Sequence, residues 1–228
     1  MKKFTFRNPL FISVFLTVGL LGMASISLAQ ENPWTFKKDM PTARGFLSGT
    51  VVDGKIYVIG GAPTTQLSAT SLVEMYDPTT DNWTTMASMP EGRCAHATCT
   101  YKGKIYVFGG AAPKLNSAAK NNVYEYDPPT NTWTRKSDMP YAIASCATAV
   151  VNDTIYLIGG GGVYWPPVST VMAYHPLTES WLEKKSMPTP RGVLSACVVD
   201  GKIYAIGGTT MDYNIVAYQL VEVFDPAT

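Results

Sequence analysis

Few side chains in this 228-residue chain are suited to acid–base, nucleophilic or metal chemistry. There are two histidines, and His96, in "RCAHAT", is the natural candidate for a general base. Positions related to it by the internal repeat described below hold Leu47, Cys146 and Leu194, which marks a packing position. His175 stands where Asp recurs elsewhere, in a turn. Two histidines and four scattered cysteines give no transition-metal set, and Cys94, Cys99, Cys146 and Cys197 lack a CxxC zinc spacing. No cofactor or metal is expected. Cys99 and Cys197 share one column two repeats apart, too far for the Cα separation of about 7 Å that a disulfide tolerates. The expectation is four free, buried thiols placed in the first strands of the repeats. Arg44, Arg93 and Arg191 recur in one column, with Ile143 in the third copy. They read either as a cation ring for an anionic ligand or as scaffolding that satisfies local carbonyls. "GGGGV" at 159–163 lacks the Lys-Ser/Thr of a phosphate loop and reads as a strand end entering a loop.

These residues are positioned by a repeat. "GKIYVIGG" at 54–61 returns as "GKIYVFGG" at 103–110, "DTIYLIGG" at 153–160 and "GKIYAIGG" at 201–208. Trp34, Trp83, Trp133 and Trp181 keep the same intervals as the double glycines and the Met-Pro pairs. Each unit carries four short strand signals, in the first copy "FLSGTVV", "KIYVIG", "LVEMY" and "NWTTM". Asp53-Gly54 makes a hairpin turn between the first two strands, and Asp77, Pro78 and Asp81 shape the turn between the last two. A four-stranded unit of about 50 residues is a propeller blade, whose two faces are covered only by neighbouring blades. The fold class is therefore all-β, a propeller of four-stranded antiparallel blades, with repeats at about 40–88, 89–138, 139–186 and 187–228.

The double glycine, the Y-D-P-x-x-x-x-W spacing and the arginine near the first strand resemble the kelch repeat. Tyr76, Tyr126 and Tyr174 match the family's tyrosine, with Phe224 at the fourth place. The resemblance runs from Trp34 to Thr228. It implies a β-propeller and leaves function open, since such propellers serve many roles. Some kelch domains place ligand-binding arginines two residues beyond the arginine column. This chain has Phe46, Ala95, Ser145 and Val193 there, which argues against an acidic-peptide pocket of that type. Galactose-oxidase-type relatives need a copper set that cannot be assigned here. Exported bacterial kelch propellers also include sialic-acid mutarotases. That resemblance implies a sugar-active alternative, with Glu74, Glu222 and the arginine column as conceivable participants.

The ends carry their own signals. Lys2, Lys3 and Arg7 precede the apolar run "PLFISVFLTVGLLGMASISLAQ", and Ser27 and Ala29 are small residues at a cleavage site, so residues 1–29 read as a secretory signal peptide and 30–228 as the propeller domain. The chain is thus expected to be secreted or periplasmic, without a membrane span after cleavage. Removing those three cations from the 18 Lys and Arg leaves 15 against 17 Asp and Glu, with no basic run to capture nucleic acid. "NPWTFKKDMP" at 32–41 matches "NTWTRKSDMP", a fourth strand without its own blade. Trp34 is expected to pair near Val221–Phe224 and close a four-bladed ring; the alternative is part of a larger ring.

The loops after the double glycines are where the copies diverge, and the third carries Tyr164 and Trp165 beside two prolines, the fourth Tyr213. Stiff aromatic loops suit a protein or glycan partner. The sequence therefore points to an exported, non-enzymatic binding module. Its candidate contacts are Trp165, Tyr164 and Tyr213, with Arg44, Arg93 and Arg191 as the cation-ring alternative.

Overall fold

The computed structural model describes residues 33–63, 68–112, 118–161, 166–210 and 215–228. Residues 38–228 form one compact unit. Blade 1 comprises β1 (Ser48–Val52), β2 (Lys55–Ile59), β3 (Val73–Asp77) and β4 (Asn82–Thr85). Blade 2 comprises β5 (Ala97–Tyr101), β6 (Lys104–Phe108), β7 (Val123–Asp127) and β8 (Thr132–Lys136). Blade 3 comprises β9 (Ala147–Val151), β10 (Thr154–Ile158), β11 (Val171–His175) and β12 (Ser180–Lys184). Blade 4 has three strands, β13 (Ser195–Val199), β14 (Lys202–Ile206) and β15 (Val221–Phe224). Every sheet is an antiparallel meander in chain order.

The sequence punctuation is used as its chemistry dictates. Both residues of the first turn, Asp53 and Gly54, have positive φ, at 47° and 72°. Lys102-Gly103, Asn152-Asp153 and Asp200-Gly201 repeat this type I′ geometry, whose twist matches the paired strands. The double glycine serves a close approach. A Cβ on Gly60 would lie 2.5 Å from the Arg93 carbonyl of the next blade, and Gly61 donates its N–H to that same oxygen at 2.9 Å.

Blades pack through apolar faces. Val52, Tyr57, Ile59, Val73 and Met75 of blade 1 meet Ile105, Val107 and Tyr126 of blade 2. Tyr101, Tyr106, Phe108 and Val123 meet Ile155, Leu157, Met172 and Tyr174 of blade 3. Ala147, Ala149, Val151, Tyr156 and Ile158 meet Ile203 and Ala205 of blade 4. The first strands stand side by side in the order β1, β5, β9, β13, with no comparable packing of β13 on β1. Hydroxyls bridge blades 1 and 2 there, Ser48 to Thr98 and Thr50 to Thr100, each at 2.7 Å. The far face of blade 4 stays uncovered, leaving Val199, Ile206, Val221 and Val223 exposed.

Two expectations need correction. Residues 33–40 form no strand, and among the described residues β15 is the last strand of its sheet, so the expected strand at Trp34 completing the blade beside Val221–Phe224 is not formed. The linker that follows docks instead as every other blade linker does. The Trp83 indole N–H donates to the Lys38 carbonyl at 2.8 Å, as Trp133 does to Ala87 and Trp181 to Ser137. Second, recurrence with the period implies that Trp83, Trp133 and Trp181 are buried between blades, but they are half-buried, because they belong to the outermost strands and cover the blade tyrosines from outside.

Candidate functional site

The residue two places after each arginine-column position adopts a left-handed conformation. Phe46, Ala95, Ser145 and Val193 have φ of 53°, 51°, 55° and 54°. For phenylalanine and above all β-branched valine this region is sterically costly, and such conformations cluster at functional positions. What holds them is a backbone belt. The residue before each one bridges to the residue after the double glycine, Gly45 to Ala62, Cys94 to Ala111, Ala144 to Gly161 and Gly192 to Thr209. The left-handed residues then bond to one another: Ala95 N–H donates to the Phe46 carbonyl, Ser145 to Ala95, and Val193 to Ser145, at 2.8–2.9 Å. Because each immediately precedes an innermost strand, the four lie along the inner rim of the blade array. Phe46 is 55% exposed and Val193 62% exposed. The rim thus presents two large apolar side chains and two small ones on a rigid support.

The arginines lie beneath this rim. Arg44, Arg93 and Arg191 are buried. Arg44 donates to the Gly60 and Val58 carbonyls and pairs with Glu74. Arg191 donates to the Gly207 and Ala205 carbonyls at 2.8 and 3.0 Å and pairs with Glu222 at 2.5 Å. Arg93 donates to the Gly109 carbonyl at 3.0 Å, pairs with Glu91 at 2.5 Å and lies 4.9 Å from the centroid of the Tyr124 ring. The guanidiniums therefore fasten the double-glycine corner to the third strand. Blade 3 breaks the pattern consistently: Ile143 replaces the arginine, and Met172 stands in the column of Glu74 and Glu222.

His96 is buried, and neither ring nitrogen meets hydrogen-bond geometry with a partner. Burial, reinforced by Arg93, pushes its pKa down to about 3, and the approach of the Ile59 main chain offsets only part of this. It packs against the double glycines of blades 1 and 2, in the place that Leu47 and Leu194 fill elsewhere. All four cysteines are free; Cys94 and Cys99 are buried, but Cys197 is exposed, contrary to expectation, because no described residue packs on that face of blade 4. Cys94 and Cys146 precede the first strands rather than lying in them. Burial raises the Cys94 thiol to about 11 and the Cys146 thiol to about 12. Among the described residues no group of three or more His, Cys, Asp or Glu is placed to hold a metal.

Tyr164, Trp165 and Tyr213 lie outside the described residues. The rim residues were visible in the sequence only as the positions where arginines were missing. Their backbone conformation left no residue-type signal, since none is glycine.

A radial array of four-stranded meanders, fastened by double glycines and outer tryptophans, defines the β-propeller class of repeat proteins. Comparison with known proteins narrows this. Residues 24–160 match the family model described as the KLHDC2/KLHL20/DRC7 Kelch-repeats domain, and residues 142–188 and 190–228 match the Kelch motif. The chain belongs to the kelch-repeat family. Among similar proteins, Beta-scruin of Limulus polyphemus is 40% identical over 81 residues, 36% of this chain and 9% of scruin. Kelch-like protein terF of Aspergillus terreus is 43% identical over 84 residues, 35% of this chain and 18% of that protein. Kelch-like protein 15 of Danio rerio is 37% identical over 83 residues, 34% of this chain and 14% of that protein. The chain thus matches less than a fifth of the length of each of these relatives. A solved structure titled "Structure of YjhT" superimposes with a TM-score of 0.76 at 18% identity, covering 86% of this chain and 73% of that one, a likeness of fold. Among the described residues no helix is long and apolar enough to cross a membrane.

Proposed function

We propose that the chain is a binding module of the kelch type. It presents the inner rim at Phe46, Ala95, Ser145 and Val193, with the loops carrying Tyr164, Trp165 and Tyr213, to a protein partner. The observation that carries this reading is the rim itself, where the Phe46 and Val193 side chains are held exposed in a conformation that is costly for both residues. The groups best suited to chemistry serve the fold: Glu74 and Glu222 are tied to Arg44 and Arg191, and His96 is sealed in the core. This gives the sugar-active alternative less support than the binding one. We further propose that residues 1–29 export the chain, which amino-terminal sequencing of the protein recovered outside the cytoplasm tests by showing a start at Gln30.

The binding test uses peptide and glycan arrays probed with the purified chain. Replacing Val193 and Phe46 by glycine removes the rim side chains at positions where glycine is the conformationally easier residue. Stability should hold or rise by about 0.5–1 kcal/mol while array binding falls. Trp165→Ala should weaken binding by about 1–2 kcal/mol at unchanged melting temperature. Array binding unaffected by all three changes would remove the rim and its loops as the binding face. Binding confined to glycans would replace the protein partner with a carbohydrate.

A further inference from the structure

The break in the arginine column leaves a cavity. Between blades 2 and 3 lies a cavity of about 480 Å³ whose lining includes Ala119, Tyr141, Ile143, Val168, Thr170 and Glu183. Three of these occupy columns that elsewhere hold a guanidinium and its partners. Ile143 stands in the arginine column itself. Tyr141 stands in the column of Thr42, Glu91 and Thr189, which accept from Arg44, Arg93 and Arg191 at 2.9, 2.5 and 3.0 Å. Thr170 stands in the column of Asn122, whose side-chain oxygen lies 3.4 Å from Arg93. Ile143 and Met172 stand in place of the ion pair and pack into the core, so no guanidinium reaches across this corner as in the other blades, and the cavity lies beside Ile143.

The lining has a definite polarity. Ala119, Ile143 and Val168 make an apolar wall, while Tyr141, half exposed at 50%, donates its hydroxyl to Glu183 Oε2 at 3.2 Å. Among the described residues, one exposed carboxylate thus stands beside a mainly apolar cavity of the size that takes small molecules or single side chains. A neutral apolar guest would dehydrate the Glu183 carboxylate without compensation, and an anion would be repelled by it. A guest with an apolar body and one cationic nitrogen satisfies both parts. We propose that this cavity is a binding site for hydrophobic primary amines, the body resting on Ile143 and Val168 and the ammonium on Glu183. The site adjoins the rim belt through Gly161, but its amine selectivity, read at Ile143 and Val168, does not depend on what binds the rim.

Methyl NMR on the purified chain tests this with three probes that share a phenylethyl body: 2-phenylethylamine, 2-phenylethanol and 3-phenylpropionate. The amine should shift the Ile143 and Val168 methyl signals saturably. Its affinity should exceed that of the alcohol by about tenfold, the equivalent of about 1.4 kcal/mol, and the acid should leave the signals in place. Glu183→Gln, an exposed change that leaves folding intact, should cancel the preference for the amine. The pair Ile143→Arg with Met172→Glu rebuilds the blade 1 arrangement and should abolish binding, with circular dichroism confirming the fold. Equal binding of the three probes, no shift with any of them, or an amine shift that survives both Glu183→Gln and the double change would each overturn the proposal.

Discussion

Arg44 and Glu74 form an ion pair with both side chains withdrawn from solvent, at 0% and 2% exposure. Removing one partner strands the other charge in the core, whereas removing both substitutes an apolar contact for the pair. Blade 3 already carries that substitution as Ile143 and Met172. Glu74→Met alone should therefore cost about 3–5 kcal/mol in a denaturant melt, and adding Arg44→Ile should recover most of the loss. A double variant as unstable as the single one would show that the arginine acts chiefly through the Gly60 and Val58 carbonyls. His96 gives the chain a separate response to acid. Its folded pKa of about 3 lies below the unfolded value of about 6.5, so between those values the unfolded state binds a proton that the folded state does not. Its contribution to stability is complete above pH ~6.5 and is lost as pH falls toward ~3. Melting temperatures measured from pH 7 to 5, above most carboxylate titration, should fall less steeply in His96→Leu, the residue that Leu47 and Leu194 provide in the same column. Identical slopes in the two proteins would mean that His96 is reached by water.

At the scale of the strand, each outer tryptophan does two jobs. Trp133 lies 4.8 Å from the Tyr126 ring, centroid to centroid, and its indole N–H donates to Ala87 O at 2.8 Å, while Asn131 Oδ1 accepts from the Ala87 N–H at 2.8 Å. The turn between the last two strands thus clamps the linker from the preceding blade. Trp133→Phe should cost about 0.5–1.5 kcal/mol for the lost hydrogen bond. Trp133→Ala should cost about 2–4 kcal/mol, below the range for a fully buried tryptophan because the ring is only half covered. Equal losses in a denaturant melt would contradict that division. The strand order and hairpins were legible because each blade writes the same glycines, turn residues and alternating apolar positions. The arginine column was legible as a column, but not its burial, since nothing in residue type separates an arginine facing solvent from one facing carbonyls. The rim conformation was not legible, because tertiary hydrogen bonds rather than local propensity impose it. Pairing of Trp34 with β15 failed as an inference because matching sequence shows what kind of strand a segment can form, not where its partner lies.

Across the whole array, among the described residues, blades 2 and 3 are covered on both faces, blade 1 on one, and blade 4 on one. Its β13 residues are exposed where the matching residues of β5 and β9 are buried. Thiol labelling of the native protein should therefore separate the cysteines. Cys197 should react promptly, Cys94 and Cys99 only on unfolding, and Cys197→Ser should remove the fast phase. Slow labelling at Cys197 would mean that the open face is covered in solution. The belt of rim hydrogen bonds adds a consequence of another kind. Each of its bonds joins one blade to the next and none skips a neighbour. The array is therefore coupled like a one-dimensional chain of cooperative units, in which opening begins at an end and travels inward. The amides of Ala95, Ser145 and Val193 each report on one junction, and the Ala95 and Val193 junctions each join a blade with a single covered face. Hydrogen exchange at Ala95 and Val193 should run ahead of that at Ser145, so that the two exposed rim side chains, Phe46 and Val193, both sit at the junctions most ready to open.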